Sequence, residues 1–558
     1  MPRPVPSRLG SLLLAAAGGV ALWAAFPRLS WWPLAYLGVA LLLLALRRDS
    51  AWWGWLVGFV AGLAFFLPLL RWADEAVGEP IGWVALSVAE AAAVGVFGAA
   101  WVIARRVPWV ARRPWLQAVL AAVVWVAVEQ LRGRWPFGGF PWGLLAFSQA
   151  DAPVVRLAAW GGTPLVSGVV VLVGALLAAA LVSLRRARVG AGAGALVVAG
   201  ALAVGPALVP LGTRAEAGTL RLGAVQGNVP TQGAEAMSQA RAVAANHAAG
   251  TVALAERAGR GALDLVVWPE SASDIDPRTD PDVAAVVDRA AAAVDAPLLL
   301  GTQRFFTDTR YNDYLLWQPG VGAGPAYTKQ HPVPFGEYIP YRDFFRTFTS
   351  AVDLVSLDMA AGTGPGVLAV PVARLGRDVP VAVGICFEVA YDDLIADGVR
   401  RGGELIVVPT NNASFGRSAE AEQQLAISRF RAVEHGRTVV QVSTVGVSGI
   451  VGPDGTPVAS TGLFTAEEMT AAVPLRTSLT WAARLGGWPA AVVQLVAAAA
   501  VLAGLVAGRG RRGRGPAAGF DDGETRGDGG THGAPDGGGT PGTRGARDGR
   551  PAPARSGR

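Results

Sequence analysis

Val381-Ala-Val-Gly-Ile-Cys-Phe-Glu388 reads as a buried strand that runs straight into a thiol at a turn. The run is short, apolar and β-branched, which favours a strand inside a sheet over a helix. Cys386 is the only cysteine in 558 residues, so no internal disulfide explains it. A thiol at a strand end is a candidate nucleophile that needs help to ionise at neutral pH. The N–H of the next residue, Phe387, is placed to complete an oxyanion hole. Glu388 is placed to orient a cation or to line the pocket.

Upstream, Leu265-Val-Val-Trp-Pro-Glu270 repeats the pattern. Pro269 has no N–H for a ladder bond, so the strand stops there and holds Glu270 at its end. Glu270 among apolar neighbours suits a general base. The stretch Ala326-Tyr-Thr-Lys-Gln-His-Pro-Val-Pro-Phe-Gly-Glu-Tyr-Ile-Pro340 ends a short strand on Lys329, followed by a loop carrying Glu337. Lys329 is the only lysine; the other 47 of the 48 basic residues are arginine. An ammonium there stabilises an oxyanion and favours a thiolate. Each residue alone has a blander reading, as a small core cysteine or a surface ion pair. Together they make a site for acyl transfer through a thiol.

The segment 218–475 alternates such strands with Ala-rich helical patterns. Strands are expected at 220–225, 265–268, 297–301, 311–318, 381–385 and 405–408, and helices at 234–258, 281–294 and 418–435. A hairpin-like region at 438–459 contains the turn Pro453-Asp-Gly455. Buried strands alternating with helices predict a layered α/β domain with mixed sheets.

The rest of the chain has another character. Apolar residues make up 52% of the sequence and charged ones 16%, with 19 Trp and a mean hydropathy of +0.38. That composition predicts a polytopic membrane protein. Apolar stretches at 10–27, 31–46, 51–70, 81–104, 115–131, 157–184, 190–211 and 487–508 predict eight spans. Arginines follow every even-numbered span: Arg47 and Arg48; Arg105, Arg106, Arg112 and Arg113; Arg185, Arg186 and Arg188; and Arg509, Arg511, Arg512 and Arg514. The positive-inside rule then puts both termini in the cytoplasm and 212–486 outside. These arginine clusters flank apolar runs, so the net charge of +6 is no sign of nucleic acid. Glu90 and Glu129 fall in or near spans, where carboxylates are often functional. Arg134-Trp-Pro-Phe-Gly-Gly-Phe-Pro-Trp142 reads as an interfacial or re-entrant loop. The four histidines show no ligand spacing, so neither a metal nor another cofactor is expected. The organisation expected is a membrane part at 1–211, an outer domain at 218–475, an eighth helix at 487–508 and a disordered Gly/Arg-rich cytoplasmic tail at 509–558.

The order Glu270, Lys329, Cys386 resembles the Glu-Lys-Cys triad of the nitrilase superfamily, whose fold is an αββα sandwich. Within it, Val225-Gln-Gly-Asn228, Val333-Pro-Phe-Gly-Glu-Tyr-Ile-Pro340, Thr410-Asn-Asn-Ala-Ser-Phe-Gly416 and Arg431-Ala-Val-Glu-His-Gly-Arg437, with seven spans before and one after, resemble the apolipoprotein N-acyltransferase family. The resemblance covers roughly 10–508. It implies Glu270 as general base, Lys329 as oxyanion stabiliser and Cys386 as nucleophile, with Glu337 and Glu388 as further acidic residues of the site. Phe387 stands where many members have Tyr, Phe415 where some have Trp, and 232–235 lacks a Trp that many carry; these departures bear on the lipid pocket.

The resemblance further implies an enzyme of the bacterial cytoplasmic membrane. It would pass an acyl chain from a phospholipid, through a thioester, to the N-terminal diacylglyceryl-cysteine of an apolipoprotein, and a monomer is expected. Mobile apolar loops at 331–360 and 412–420 are expected at the mouth of the site. The alternatives are a membrane-tethered amidase acting on small amides, which uses the same triad, and a non-enzymatic transporter or scaffold.

Overall fold

The structure is a computed structural model and describes residues 6–229 and 239–512. The stretch 232–235 and the tail beyond 512 lie outside the described residues, as does the start of the helix expected at 234–258.

Apolar helices occupy every expected span: Arg8–Ala24, Pro33–Ala45, Ala51–Leu69, Pro80–Ala104, Pro114–Arg132, Ala158–Leu184, Val189–Val204 and Trp488–Arg512. Among the described residues, six helical segments are long and apolar enough to cross a membrane, where eight spans were expected. The two that fall short, Arg8–Ala24 and Pro33–Ala45, have 17 and 13 residues. At 1.5 Å rise per residue the second reaches only about 20 Å, short of the roughly 30 Å hydrocarbon core. Proline at the first helical position starts several of these helices, where its missing N–H costs nothing. Helices Ala51–Leu69 and Pro80–Ala104 meet through small residues. A Cβ on Gly54 would lie 2.7 Å from Gly98 O, and one on Gly58 only 2.3 Å from Val94 O. Glycines one turn apart let the two backbones touch, which stabilises helix pairs in a medium without a hydrophobic drive. Helix Ala158–Leu184, in the span expected at 157–184, breaks at Gly161 and Gly162, just before Pro164.

Among the described residues, the α/β part holds two six-stranded sheets. In chain order the strands are β1 (Thr219–Gln226), β2 (Leu265–Val267), β3 (Leu298–Phe305), β4 (Arg310–Gln318), β5 (Gly322–Thr328), β6 (Val367–Val372), β7 (Arg377–Val383), β8 (Leu405–Thr410), β9 (Val439–Ser443), β10 (Gly449–Val451), β11 (Pro457–Ser460) and β12 (Glu467–Pro474). They run β12-β1-β2-β3-β4-β5 in one sheet and β11-β10-β9-β8-β7-β6 in the other. Both are mixed: β1-β2-β3 and β7-β8-β9 pair in parallel, the outer strands antiparallel.

Alternation along the strands builds the layers. Leu220, Leu222, Val381, Val383 and Val440 point into one core between the sheets. Val266, Leu298 and Leu300 face the helices Ala240–Ala258 and Pro281–Val294. On the far side, Ala382, Ile406 and Val408 face Asp392–Arg400 and Glu420–His435, and that apolar layer continues without a break into the membrane helices. The result is an αββα sandwich whose second helical layer docks on the bundle. Strands β6 and β12, absent from the sequence reading, are edge strands: Pro371 interrupts the apolar run of β6, and β12 mixes polar with apolar positions.

Candidate active site at the carboxyl ends of the strands

Four loops meet at one rim of the sandwich. Glu270 follows β2, Lys329 follows β5, Cys386 follows β7, and Asn411 follows β8. Parallel strands present the loops after their carboxyl ends on one side, which is where α/β folds put sites. The sequence-predicted Glu270, Lys329 and Glu337 are thereby brought together. Lys329 Nζ lies 2.6 Å from Glu337 Oε1 and 3.4 Å from Glu270 Oε1, with the lysine fully buried. Burial works against the ammonium, but the Glu337 and Glu270 carboxylates outweigh it and hold Lys329 above the usual lysine range. Lys329 is therefore held as an ammonium by the two carboxyl groups.

The positions are over-determined by hydrogen bonds. Asn312 on β4 donates from Nδ2 to Glu270 Oε1 at 2.7 Å, and its carbonyl accepts the Lys329 N–H at 2.8 Å. The Asn411 N–H donates to Glu270 Oε2 at 3.0 Å. Glu337 Oε2 accepts the Val333 N–H at 2.7 Å, closing its own loop. Asn312 carried no motif in the sequence; only the β3–β4–β5 register places it.

Cys386 opens the tight turn Cys386–Ala390 and has φ +54°, a left-handed backbone that costs a non-glycine residue about 1 kcal/mol or more. The ladder ends at Val383, so Gly384 and Ile385 carry the chain into this turn. Burial pushes the thiol well above its ordinary range and Glu270 adds to that, while Lys329 pulls it down. Thr410 Oγ1 lies 3.2 Å from Sγ and Gln424 Nε2 3.7 Å.

Glu388 touches neither Lys329 nor open space, as orientation of the cation or a lining role would require. It is fully buried and accepts four hydrogen bonds. Oε1 takes the N–H groups of Gln330 (2.6 Å) and His331 (2.9 Å); Oε2 takes the Ile385 N–H (2.7 Å) and the Tyr327 hydroxyl (2.9 Å). It ties the residues just after Lys329 to the residue just before Cys386. Burial pushes it up to about 7, against the pull of Lys329 and these donors.

Phe387 and Phe415 both turn toward the membrane helices. The Phe387 ring stacks on Trp142 (centroids 5.3 Å, planes 9° apart) and on Phe140 (5.2 Å, 27°). Phe415 meets Trp72 edge to face at 5.3 Å. The loop 134–142 is thus only half interfacial: Trp135 is exposed, but Trp142 is buried and donates from Nε1 to Gln423 Oε1 at 2.7 Å. Arg132 sets that loop from inside the bundle. Its Nη1 lies 2.6 Å from Glu90 and 2.9 Å from the carbonyls of Phe140 and Trp142. Glu129 accepts the Leu145 N–H at 2.8 Å. Both intramembrane carboxylates therefore hold the loop against which the Cys386 turn rests. The stretch 412–420 is clasped here too, with Arg28 donating to the carbonyls of Arg417 and Ser418. Among the described residues no cluster of three or more His, Cys, Asp or Glu could hold a metal ion.

Residues 18–176 match the family model described as the apolipoprotein N-acyltransferase N-terminal domain, and residues 221–483 match the carbon-nitrogen hydrolase model. An apolipoprotein N-acyltransferase of Mycolicibacterium smegmatis is 38% identical over 90% of this chain and 86% of its own length. Those of Azotobacter vinelandii and Pseudomonas putida are 33% and 31% identical, over 81% and 90% of this chain and 86% and 98% of theirs. The sandwich also overlays 94% of a solved nitrilase-superfamily amidase from Nesterenkonia AN1, at 15% identity over 47% of this chain and a TM-score of 0.35, too loose to bear on function. With both halves matched in order and relatives alike along nearly their full lengths, the chain is an acyltransferase and belongs to the apolipoprotein N-acyltransferase family.

Proposed function

We propose that this enzyme takes an acyl chain from a membrane phospholipid onto Cys386 and passes it to the α-amine of a diacylglyceryl-cysteine at an apolipoprotein N-terminus. One observation carries the reading: the turn that holds Cys386 lies directly on the aromatic loop of the membrane bundle, beside the buried Glu270–Lys329 pair. A nucleophile there meets a lipid ester without the lipid leaving the bilayer.

Glu270 accepts the Cys386 proton as the thiolate attacks the ester carbonyl. Lys329 and the Phe387 N–H, which has no acceptor within its own turn, stabilise the oxyanion. The C–O bond breaks, Glu270 returns the proton to the lysophospholipid alkoxide, and a thioester remains. The neutral amine then attacks. Glu270 takes its proton, the C–S bond breaks, the proton goes to sulfur, and an amide leaves. Glu337 holds Lys329 in place throughout. The mouth is framed by Phe335, Tyr341, Phe344 and Phe348, all exposed, with Phe137 of the bundle loop 5.7 Å from Phe335. Such a rim suits lipid tails and shelters the thioester from water.

We place the catalytic domain, 218–475, on the outer face and both termini in the cytoplasm, with 1–211 and 487–508 in the membrane. The arginine clusters support this. The two shorter helices are adjacent, so whether the pair crosses or dips, the chain re-emerges on the side where it entered. One chain supplies every group the reaction uses, so a monomer without metal suffices.

The test supplies purified protein in detergent with phosphatidylethanolamine carrying a labelled acyl chain and a diacylglyceryl-cysteine peptide. Label on Cys386 and then in an amide on the peptide, both lost in Cys386→Ala, is expected. Release of free fatty acid alone would point to a hydrolase and overturn the reading.

A further inference from the structure

We propose that Thr410 and Gln424 are the donors that hold the Cys386 thiolate, with Asn412 and Glu420 fixing the amide of Gln424 in the donating orientation. This rests on Cys386 being the nucleophile of the proposed reaction.

The charged groups around the sulfur do not suffice. Facing it are Glu270 from the loop after β2, Lys329 from the loop after β5, and Glu420 from the head of helix Glu420–His435. Glu270 is a carboxylate and Glu420 a buried carboxyl, and neither favours a thiolate. The single cation is already engaged by Glu337 and Glu270. A thiolate formed here needs neutral donors as well.

Thr410 and Gln424, both fully buried, supply them. Thr410 Oγ1 is 3.2 Å from Sγ and 2.9 Å from Gln424 Oε1. A hydroxyl has one proton to give. While the thiol is neutral, S–H donates to Thr410 and Thr410 donates to Gln424. When Glu270 removes the thiol proton, the hydroxyl turns and donates to sulfur.

Gln424 cannot turn. The Gly446 N–H donates to Ser443 Oγ at 2.8 Å, so the Ser443 hydroxyl donates onward to Asn412 Oδ1 at 2.5 Å. Asn412 Nδ2 then donates to Glu420 Oε2 at 2.6 Å and to Gln424 Oε1 at 3.0 Å. With its oxygen so held, Gln424 presents Nε2 to the sulfur at 3.7 Å. An N–H₂ aimed at sulfur is of little use to a neutral thiol and favours a thiolate. Four residues thus form one chain of directed bonds ending on the nucleophile.

Cys386 is the only cysteine, so alkylation of the full-length protein by iodoacetamide reads this thiol alone by intact mass. The rate across pH follows the thiolate fraction. Losing one hydrogen bond to an ionised sulfur is expected to slow alkylation about tenfold at pH 7 in Thr410→Val and in Gln424→Met, moving the rate profile to higher pH. Thr410→Ser restores the hydroxyl and is expected to restore the profile. A purely structural role would alter melting and leave the profile where it was. A Gln424→Met or Thr410→Val protein that melts and titrates like the parent overturns the proposal; should one variant not fold, the other decides. The assay contains no lipid, so that failure leaves the acyltransferase reading standing. Absence of acyl label on the parent's Cys386 would instead remove the reading itself.

Discussion

Replacing Glu388 by Gln tests whether the tie between the lysine loop and the Cys386 turn matters. The carboxylate meets four donors and no acceptor. An amide must turn its N–H₂ toward two of them. Facing Gln330 and His331 it would oppose two backbone N–H groups that cannot rotate. Facing Ile385 and Tyr327 it opposes one, because the tyrosine hydroxyl can rotate and accept instead. The second arrangement wins and leaves the Ile385 N–H buried without an acceptor. That costs about 1–3 kcal/mol, which in a domain of this size lowers the melting temperature by about 5 °C. The orphan lies directly before Cys386, so the turn loosens at the nucleophile. The acylation rate is expected to fall at least tenfold, a 1.4 kcal/mol effect, with less change in KM. Differential scanning fluorimetry and single-turnover acylation from labelled phospholipid measure the two. Glu388→Ala, which orphans all four donors, is expected to be several-fold worse on both. A Glu388→Gln enzyme with parental melting and acylation rate would refute the reasoning.

Three further outcomes follow from the geometry. Burial pushes Glu420 from 4.5 up to about 8. A carboxyl that binds its proton more tightly when folded favours the fold at low pH and loses that contribution as pH rises from about 4.5 through 8, by at most about 4 kcal/mol. Glu420→Gln, which keeps an acceptor for Asn412, is expected to melt higher than the parent at pH 8 and alike at pH 4.5, by melting curves at both. Glu90→Gln leaves Arg132 without its carboxylate inside the bundle, a loss of about 3 kcal/mol; unfolding in detergent and acyl transfer should both suffer, because the loop under Phe387 slackens. Gly162→Ala places a Cβ 2.4 Å from Glu434 Oε1 at a φ of +61°, so the variant is expected to be poorly folded, by yield and size-exclusion profile.

Most of the sandwich could be read from the chain because its parallel strands are buried on both faces and so are apolar throughout. The edge strands β6 and β12 could not, since Pro371 interrupts the apolar run of the first and polar residues break up the second. The three-residue set Glu270, Lys329 and Cys386 was legible because the chain contains one lysine and one cysteine and each of the three ends a strand. Glu388 was legible as a residue but not in its task. Its neighbours Gln330, His331 and Tyr327 lie about 60 positions away.

Sequence by itself determined the membrane helices, the α/β layering and the strand ends that carry Glu270, Lys329 and Cys386, because hydrophobic period and residue type are local properties. Tertiary structure decided what no local pattern encodes. It ended two apolar stretches as helices of 17 and 13 residues, and it broke the helix at Gly161 and Gly162. It turned Trp142 and Phe140 from the bilayer onto Phe387, and it brought Asn312 to Glu270 and Thr410 and Gln424 to Cys386. These depend on distances between residues far apart in the chain, which only packing and directed hydrogen bonds settle.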